Sequence, residues 1–131
     1  MTLPFKIDYA IVCDQVRRED NGKLLFIGVY GTSLLLNTFP GTVALSLIMK
    51  VRPTKLGDSN LQFRAMLEGD ELASGEITFH LSSHEPAFAG LPPLPLQIGK
   101  PGQLKWEARS GTTRFALLGE IPVTLNPSPI S

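Results

Sequence analysis

A chain of 131 residues is long enough for one domain and too short for two ordinary ones. Hydrophobic residues at 43% and charged residues at 18% suit a globular fold with a core and exclude a disordered chain. Twelve basic side chains balance twelve acidic ones, so no net field draws the protein to nucleic acid or to a membrane surface, and neither is expected as a partner.

The N-terminal segment "MTLPFKIDYAIVCD" is broken by Pro4, Lys6 and Asp8 and does not read as a signal peptide. No apolar stretch is long enough to cross a bilayer as a helix. Cys13 is the single cysteine, so an intrachain disulfide is impossible and a disulfide-stapled secreted scaffold is excluded. The expectation is a reduced, soluble, cytoplasmic protein without a cofactor.

Eleven prolines and twelve glycines punctuate short apolar runs, which favours strands over helices. Lys6 to Asp14 alternates as a first strand, with Tyr9, Ile11 and Cys13 on one face. "RREDNG" then turns the chain into Lys23 to Tyr30. Asn21-Gly22 is the hairpin signal, because both residues accept positive φ. Both faces of this second strand are apolar: Leu25, Ile27 and Val29 on one side, Leu24, Phe26 and Tyr30 on the other. That pattern predicts a central strand, or one covered on its outer face by a loop or a partner. Gly28 marks a bulge or a close approach.

Ser33 to Asn37 is a short run. Val43 to Arg52 is the longest strand, with Val43, Leu45, Leu47, Met49 and Val51 on one face and Ser46, Lys50 and Arg52 on the other. Lys50 and Arg52, with Lys55 beyond, read as a solvated face rather than a phosphate site. Leu61 to Glu68 and Ala73 to Leu81 pair around "GDE". The passage "EPAFAGLPPLP" leads as a connection into Leu94 to Ile98. Leu104 to Arg109 follows "KPGQ", with Leu104, Trp106 and Ala108 on one face, and Trp106 is a candidate core plug. Arg114 to Leu118 and Ile121 to Leu125 close the chain. Pro122 predicts an edge position for the last strand, and 126–131 reads as a tail.

About eight or nine short strands with regular turn signals predict an all-β domain spanning 1–131. The expected architecture is a two-layer antiparallel β-sandwich, immunoglobulin-like or C2-like. A closed barrel is the alternative.

The stretch "CDQVRREDNGKLLFIGVYG" resembles the N-terminal signature of a family of uncharacterised bacterial and phage proteins. The matches are Cys13, Asp14, Arg17, Glu19, Gly22, Lys23, Ile27, Gly28, Val29 and Tyr30. "PGQLKWEARSG" and "EIPVTL" resemble that family's closing strands more loosely. The resemblance implies a compact β-sandwich of intracellular or phage-encoded origin, and it carries no activity over.

Several groups could bear chemistry. Cys13-Asp14 places a thiol beside a carboxylate, but a nucleophilic thiol needs a base or a cation to lower its pKa. The alternative is a small buried residue at a strand end. His80 and His84 would share a metal on a helix. On a strand they lie about 13 Å apart, and only a turn at Ser82-Ser83 would unite them, with Glu85 as a third ligand. Ordinary strand-end histidines are the plainer reading. Arg17 and Arg18 stand in a mixed-charge turn suited to a partner contact or simply to solvent. Phe88, Leu91 and Leu94 stand in a proline-stiffened segment. They form either an exposed apolar patch for a partner or part of the core. No phosphate-cradling glycine loop and no Ser-His-Asp order is present.

Three functions are consistent with these residues. The first is a non-catalytic protein-interaction or assembly module of bacterial or prophage origin, with a protein partner or self-association. The second is a small-molecule or glycan-binding sandwich using Trp106, Tyr30 or Phe88 as a stacking platform. The third is an enzyme built on Cys13, His80 and His84.

Overall fold

A computed structural model describes residues 3–126 of the protein. Within them the chain forms nine strands and no helix: β1 (Phe5–Arg18), β2 (Leu24–Tyr30), β3 (Leu34–Leu36), β4 (Gly41–Pro53), β5 (Gly57–Leu67), β6 (Asp70–Leu81), β7 (Ala87–Ile98), β8 (Gly102–Arg109) and β9 (Ala116–Leu125). They build a four-stranded sheet in the order β2-β1-β4-β7 and a five-stranded sheet in the order β3-β9-β8-β5-β6. The two sheets bury their facing side chains in one hydrophobic cluster, so the fold is a β-sandwich rather than a closed barrel. Every pairing is antiparallel except the short β3–β9 contact, which is parallel. The expected tail falls, beyond Asn126, outside the described residues.

The period-two runs supply the core. Leu45, Leu47, Met49 and Val51 of β4 face Leu61, Phe63, Ala65 and Leu67 of β5 and Leu104, Trp106 and Ala108 of β8 across the interior. Trp106 is fully buried and fills the centre. Burying roughly 200 Å² of indole at about 25 cal/mol per Å² contributes about 5 kcal/mol. Its N–H meets no acceptor among the described residues, which costs about 1–3 kcal/mol, so burial wins.

Two expectations about proline are corrected. "AFAGLPPLPLQI" is not a connection: all of it is strand β7. The prolines are tolerated because β7 is the outer strand of its sheet, and because the register with β4 slips at Pro92-Pro93, between the Leu47–Leu91 and Leu45–Leu94 pairs. Pro122 in turn does not mark an edge strand, since β9 lies between β3 and β8. Proline fits there because β3 joins β9 only from Val123 onward. The two closing runs are one strand, with a register shift opposite Trp106-Glu107 absorbing the extra residue.

The hairpin turns differ in type. At "EDNG" the Gly22 N–H donates to the Glu19 carbonyl at 2.9 Å and the Glu19 N–H donates to the Lys23 carbonyl at 2.8 Å. Only Gly22 has positive φ (85°); Asn21 instead accepts the Lys23 N–H on Oδ1 at 3.0 Å. This is a reverse turn closed by a left-handed glycine, not a paired left-handed Asn-Gly turn. The paired form occurs in the second hairpin, where Glu68 (φ 46°) and Gly69 (φ 88°) join Leu67 to Asp70.

β2 is not central, as one reading of its two apolar faces required; it is an edge strand. Strands lie about 4.8 Å apart, so the two edges of a flat four-stranded sheet would stand roughly 14 Å from each other. Yet the rings of Phe26 on β2 and Phe88 on β7 meet edge to face at 5.6 Å. The β1–β2 ribbon therefore leaves the plane of the sheet after Cys13, its last residue paired to β4, and turns back across the outer face. On that outer face Cys13, Ser46 and Ile48 are buried although they point away from the interior, and neither Cys13 nor Ile48 belongs to the main core cluster. They form a second, smaller apolar layer.

Nothing lies within 4 Å of a Cβ added at Gly22, so substitution there tests backbone conformation alone. Gly22→Val should lower unfolding stability by about 1–2 kcal/mol, and Gly22→Asn by less, because asparagine tolerates left-handed backbone. Urea unfolding of the three proteins checks this. Equal midpoints would show that the ribbon does not depend on its turn.

Candidate functional site

The folded-back ribbon creates a cleft between its tip and the start of β7. Arg18, Gly22, Lys23, Leu24, Phe26, Ala87 and Phe88 line it, and it measures about 580 Å³. Its floor is aromatic. Phe88 takes Phe26 on one side at 5.6 Å and Tyr9 on another at 6.5 Å, both edge to face. The Lys50 ammonium sits 4.6 Å from the centre of the Phe88 ring. Tyr9, Lys50 and Phe88 are cross-strand neighbours on β1, β4 and β7, which is why three strands converge on one spot. Arg52, the next residue outward on the same face, is already paired to Asp8 at 3.1 Å. Arg18 and Lys23 make no ion pair among the described residues.

The sequence-derived candidates scatter. Arg18 and Phe88 come together in the cleft. Arg17 lies on the opposite, solvent side of the ribbon, opposite Leu25. Leu91 is buried in the core and Leu94 packs against it, so neither belongs to an exposed patch. Alternation explains the split: Phe88 is the outward partner of Lys50, whereas Leu91 and Leu94 are the inward partners of Leu47 and Leu45. Trp106 is sealed in the interior and offers no stacking platform. Leu24, Phe26 and Lys23 join the lining although the sequence marks none of them as a site residue; the two-sided apolar pattern of β2 is the signal that something covers its second face.

The remaining candidates have separate surroundings. His80 Nδ1 lies 2.6 Å from Asp58 Oδ1 on the outer face of the five-stranded sheet. His84 Nδ1 lies 3.0 Å from the Pro53 carbonyl oxygen. The Glu85 N–H donates to Ser83 Oγ at 3.0 Å, a local turn that leaves the two imidazoles with different partners. Among the described residues no three His, Cys, Asp or Glu side chains converge as a metal cage. The outer face of the five-stranded sheet holds a second cluster, in which Arg64 and Arg109 stack on Phe115 at 3.7 and 4.4 Å. Arg64 Nε donates to Glu107 at 2.8 Å and Arg109 Nε to Gln62 at 2.9 Å, so each guanidinium has an acceptor at Nε and a ring beneath it.

Cys13 and Asp14 do different work from a nucleophile and its helper. Burial pushes the Cys13 thiol up; the Gln15 N–H partly offsets this, and the Asp14 charge adds to it. A thiol held neutral is a poor nucleophile. Asp14 instead accepts the Tyr30 hydroxyl at 2.6 Å. Burial first, then that hydrogen bond, pushes the Tyr30 phenol up to about 12. Gly28 completes the arrangement. It has φ 69°, and a Cβ there would overlap the Asp14 carboxylate. The residues at 14, 28 and 30 thus lock the ribbon where it bends away from the sheet.

Two outcomes test the lock. Gly28→Ala should destabilise by about 1–3 kcal/mol through backbone strain and overlap, and pairing it with Asp14→Ala should recover part of that loss, a non-additive cycle readable by chemical unfolding. Full additivity would place the strain elsewhere. In alkali, the unfolded chain releases the Tyr30 proton near 10 while the native one holds it to about 12. The native state then carries more protons, so stability falls as pH rises through that window. In a Tyr9→Phe background the phenolate absorbance should rise near 12, and Asp14→Asn should bring it lower.

No protein-family model matches the chain, and no curated protein matches it.

Proposed function

We propose that the protein is a non-catalytic interaction or assembly module of bacterial or prophage origin, acting in the cytoplasm through the outward side of the β1–β2 ribbon. One observation carries this reading. Leu25, Ile27 and Val29 stand at alternate positions of edge strand β2 and are 44%, 37% and 54% exposed. Folding proteins blunt such edges with charge, proline or bulges, as β7 does with Pro92 and Pro93. β2 carries none of these between Leu24 and Tyr30, and its free edge still presents backbone donors and acceptors. An incoming strand would gain main-chain hydrogen bonds and a row of apolar contacts at once. That strand comes from another protein or from a second copy of this chain. The resemblance of the Cys13–Gly31 stretch to bacterial and phage proteins supports the setting.

Among the described residues no helix is long and apolar enough to cross a membrane.

Light scattering and hydrogen exchange test the reading together. Particle mass should rise with concentration, or β2 amides should gain protection in extract of the native host. Ile27→Lys should remove either effect without lowering the melting temperature, since Ile27 faces solvent. A mass fixed at one chain, with β2 amides exchanging freely in both settings, would overturn it.

A further inference from the structure

We infer that the cleft under the ribbon tip is a binding site for a small organic anion with an apolar ring or chain. The proposal goes beyond the interaction surface and does not rest on it, because Leu24 and Phe26 alternate with Leu25 and Ile27 and face the other way. Volume comes first. About 580 Å³ is within the range that holds a drug-sized molecule, roughly 300–1,000 Å³. The hollow beside Arg64 and Arg109 is smaller, about 430 Å³, and its guanidinium groups already have a carboxylate, an amide and an aromatic ring as neighbours.

The lining then selects the chemistry. Phe26, Phe88, Leu24 and Ala87 offer only apolar contact, and Phe88 is 39% exposed to take a ring or an alkyl chain. Arg18 and Lys23 supply the only charged side chains of the lining, and both are positive. Lys50, held over Phe88, adds a third positive group beside the floor. Glu19 and Asp20 occupy the same turn as Lys23 but do not line the cleft. A cationic ligand would meet two like charges in the lining and a Phe88 ring that already holds the Lys50 ammonium. A sugar would need acceptors as well as donors for its hydroxyls, and the lining side chains provide donors alone. A carboxylate or phosphate joined to an apolar body satisfies both halves: guanidinium and ammonium take the anion, and the rings take the body.

Calorimetry and NMR on the intact chain decide it, with three probes: 4-phenylbutyrate, 4-phenylbutylamine and acetate. The aryl carboxylate should bind saturably, the amine and acetate at least tenfold more weakly. Chemical shifts should move at residues 18–26 and at 87–88. Arg18→Gln with Lys23→Gln should weaken the carboxylate about tenfold or more while leaving the melting temperature in place. Phe88→Ala also removes the ring contact that seats the ribbon, so Phe88→Leu serves as the second variant and should reduce affinity with the fold retained. Equal binding of the amine, no saturable binding of any probe, unchanged affinity in the Arg18–Lys23 variant, or shifts centred on Phe115 would each overturn the assignment.

Discussion

The edge-to-face contact between Phe26 and Phe88 joins the two opposite edges of one sheet, and both proposed surfaces follow from it. A two-stranded ribbon is marginal by itself in water. It persists here because it lies on apolar ground. An aromatic pair is worth about 0.5–1.5 kcal/mol beyond its buried area. Covering Ile48 adds roughly 1.5–3 kcal/mol of burial. The same movement has three geometric results. Cys13, Ser46 and Ile48 are removed from water, a cleft opens at the tip, and Leu25, Ile27 and Val29 are turned outward.

The two outer faces of the sandwich differ for this reason. On the five-stranded sheet, cross-strand partners are polar and matched: Asp58 with His80, Thr78 with Asn60, Arg64 with Glu107, Arg109 with Gln62, Gln103 with Glu120. That face is mostly polar, with Leu35 and Leu117 as exposed apolar exceptions. On the four-stranded sheet the outer face carries Tyr9, Ile11, Ile48 and Phe88, which water solvates poorly. It needs a cover, and the ribbon supplies one only in part. Phe88 remains 39% exposed at the cleft. The ribbon also brings its own uncovered strand. Apolar surface has been relocated rather than removed, and both candidate surfaces lie where it ended up.

Alternation made most of the fold legible. The inward rows of β4, β5 and β8 could be read directly, because a period of two has one structural meaning when one side is polar. It fails where both sides are apolar. Leu24 to Tyr30 announces two covered faces without saying by what, and a central strand is the simplest answer. Here an edge strand covers one face by folding onto its own sheet and leaves the other open. The run from Ala87 to Ile98 failed for a different reason. Prolines argue against a ladder, but an outer strand needs hydrogen bonds on one side only, and a register slip at Pro92-Pro93 accommodates the pair. Once β7 is a strand, the split of Phe88 from Leu91 and Leu94 follows from alternation. Those three residues were grouped by proximity in sequence, while the strand sends the first to the surface and the others to the core.

The N-terminal motif shows how a reactive-looking set of residues can be wholly mechanical. Cys13 is fully buried and its thiol pushed up, which disfavours the thiolate that a nucleophile needs. Asp14 is committed to the Tyr30 hydroxyl, and Gly28 is the one residue that leaves space for that carboxylate. All four stand at the point where the ribbon leaves the sheet. Their chemistry is that of a bracket: a short hydrogen bond, a missing Cβ and a left-handed backbone angle set the direction in which residues 14–30 travel. A bracket has no ligand of its own. It matters through what it positions, and what it positions is Phe26 over Phe88, with Arg18 and Lys23 at the rim. Both candidate surfaces lie along the same stretch that the bracket directs: Leu25, Ile27 and Val29 on one side, Lys23, Leu24 and Phe26 on the other.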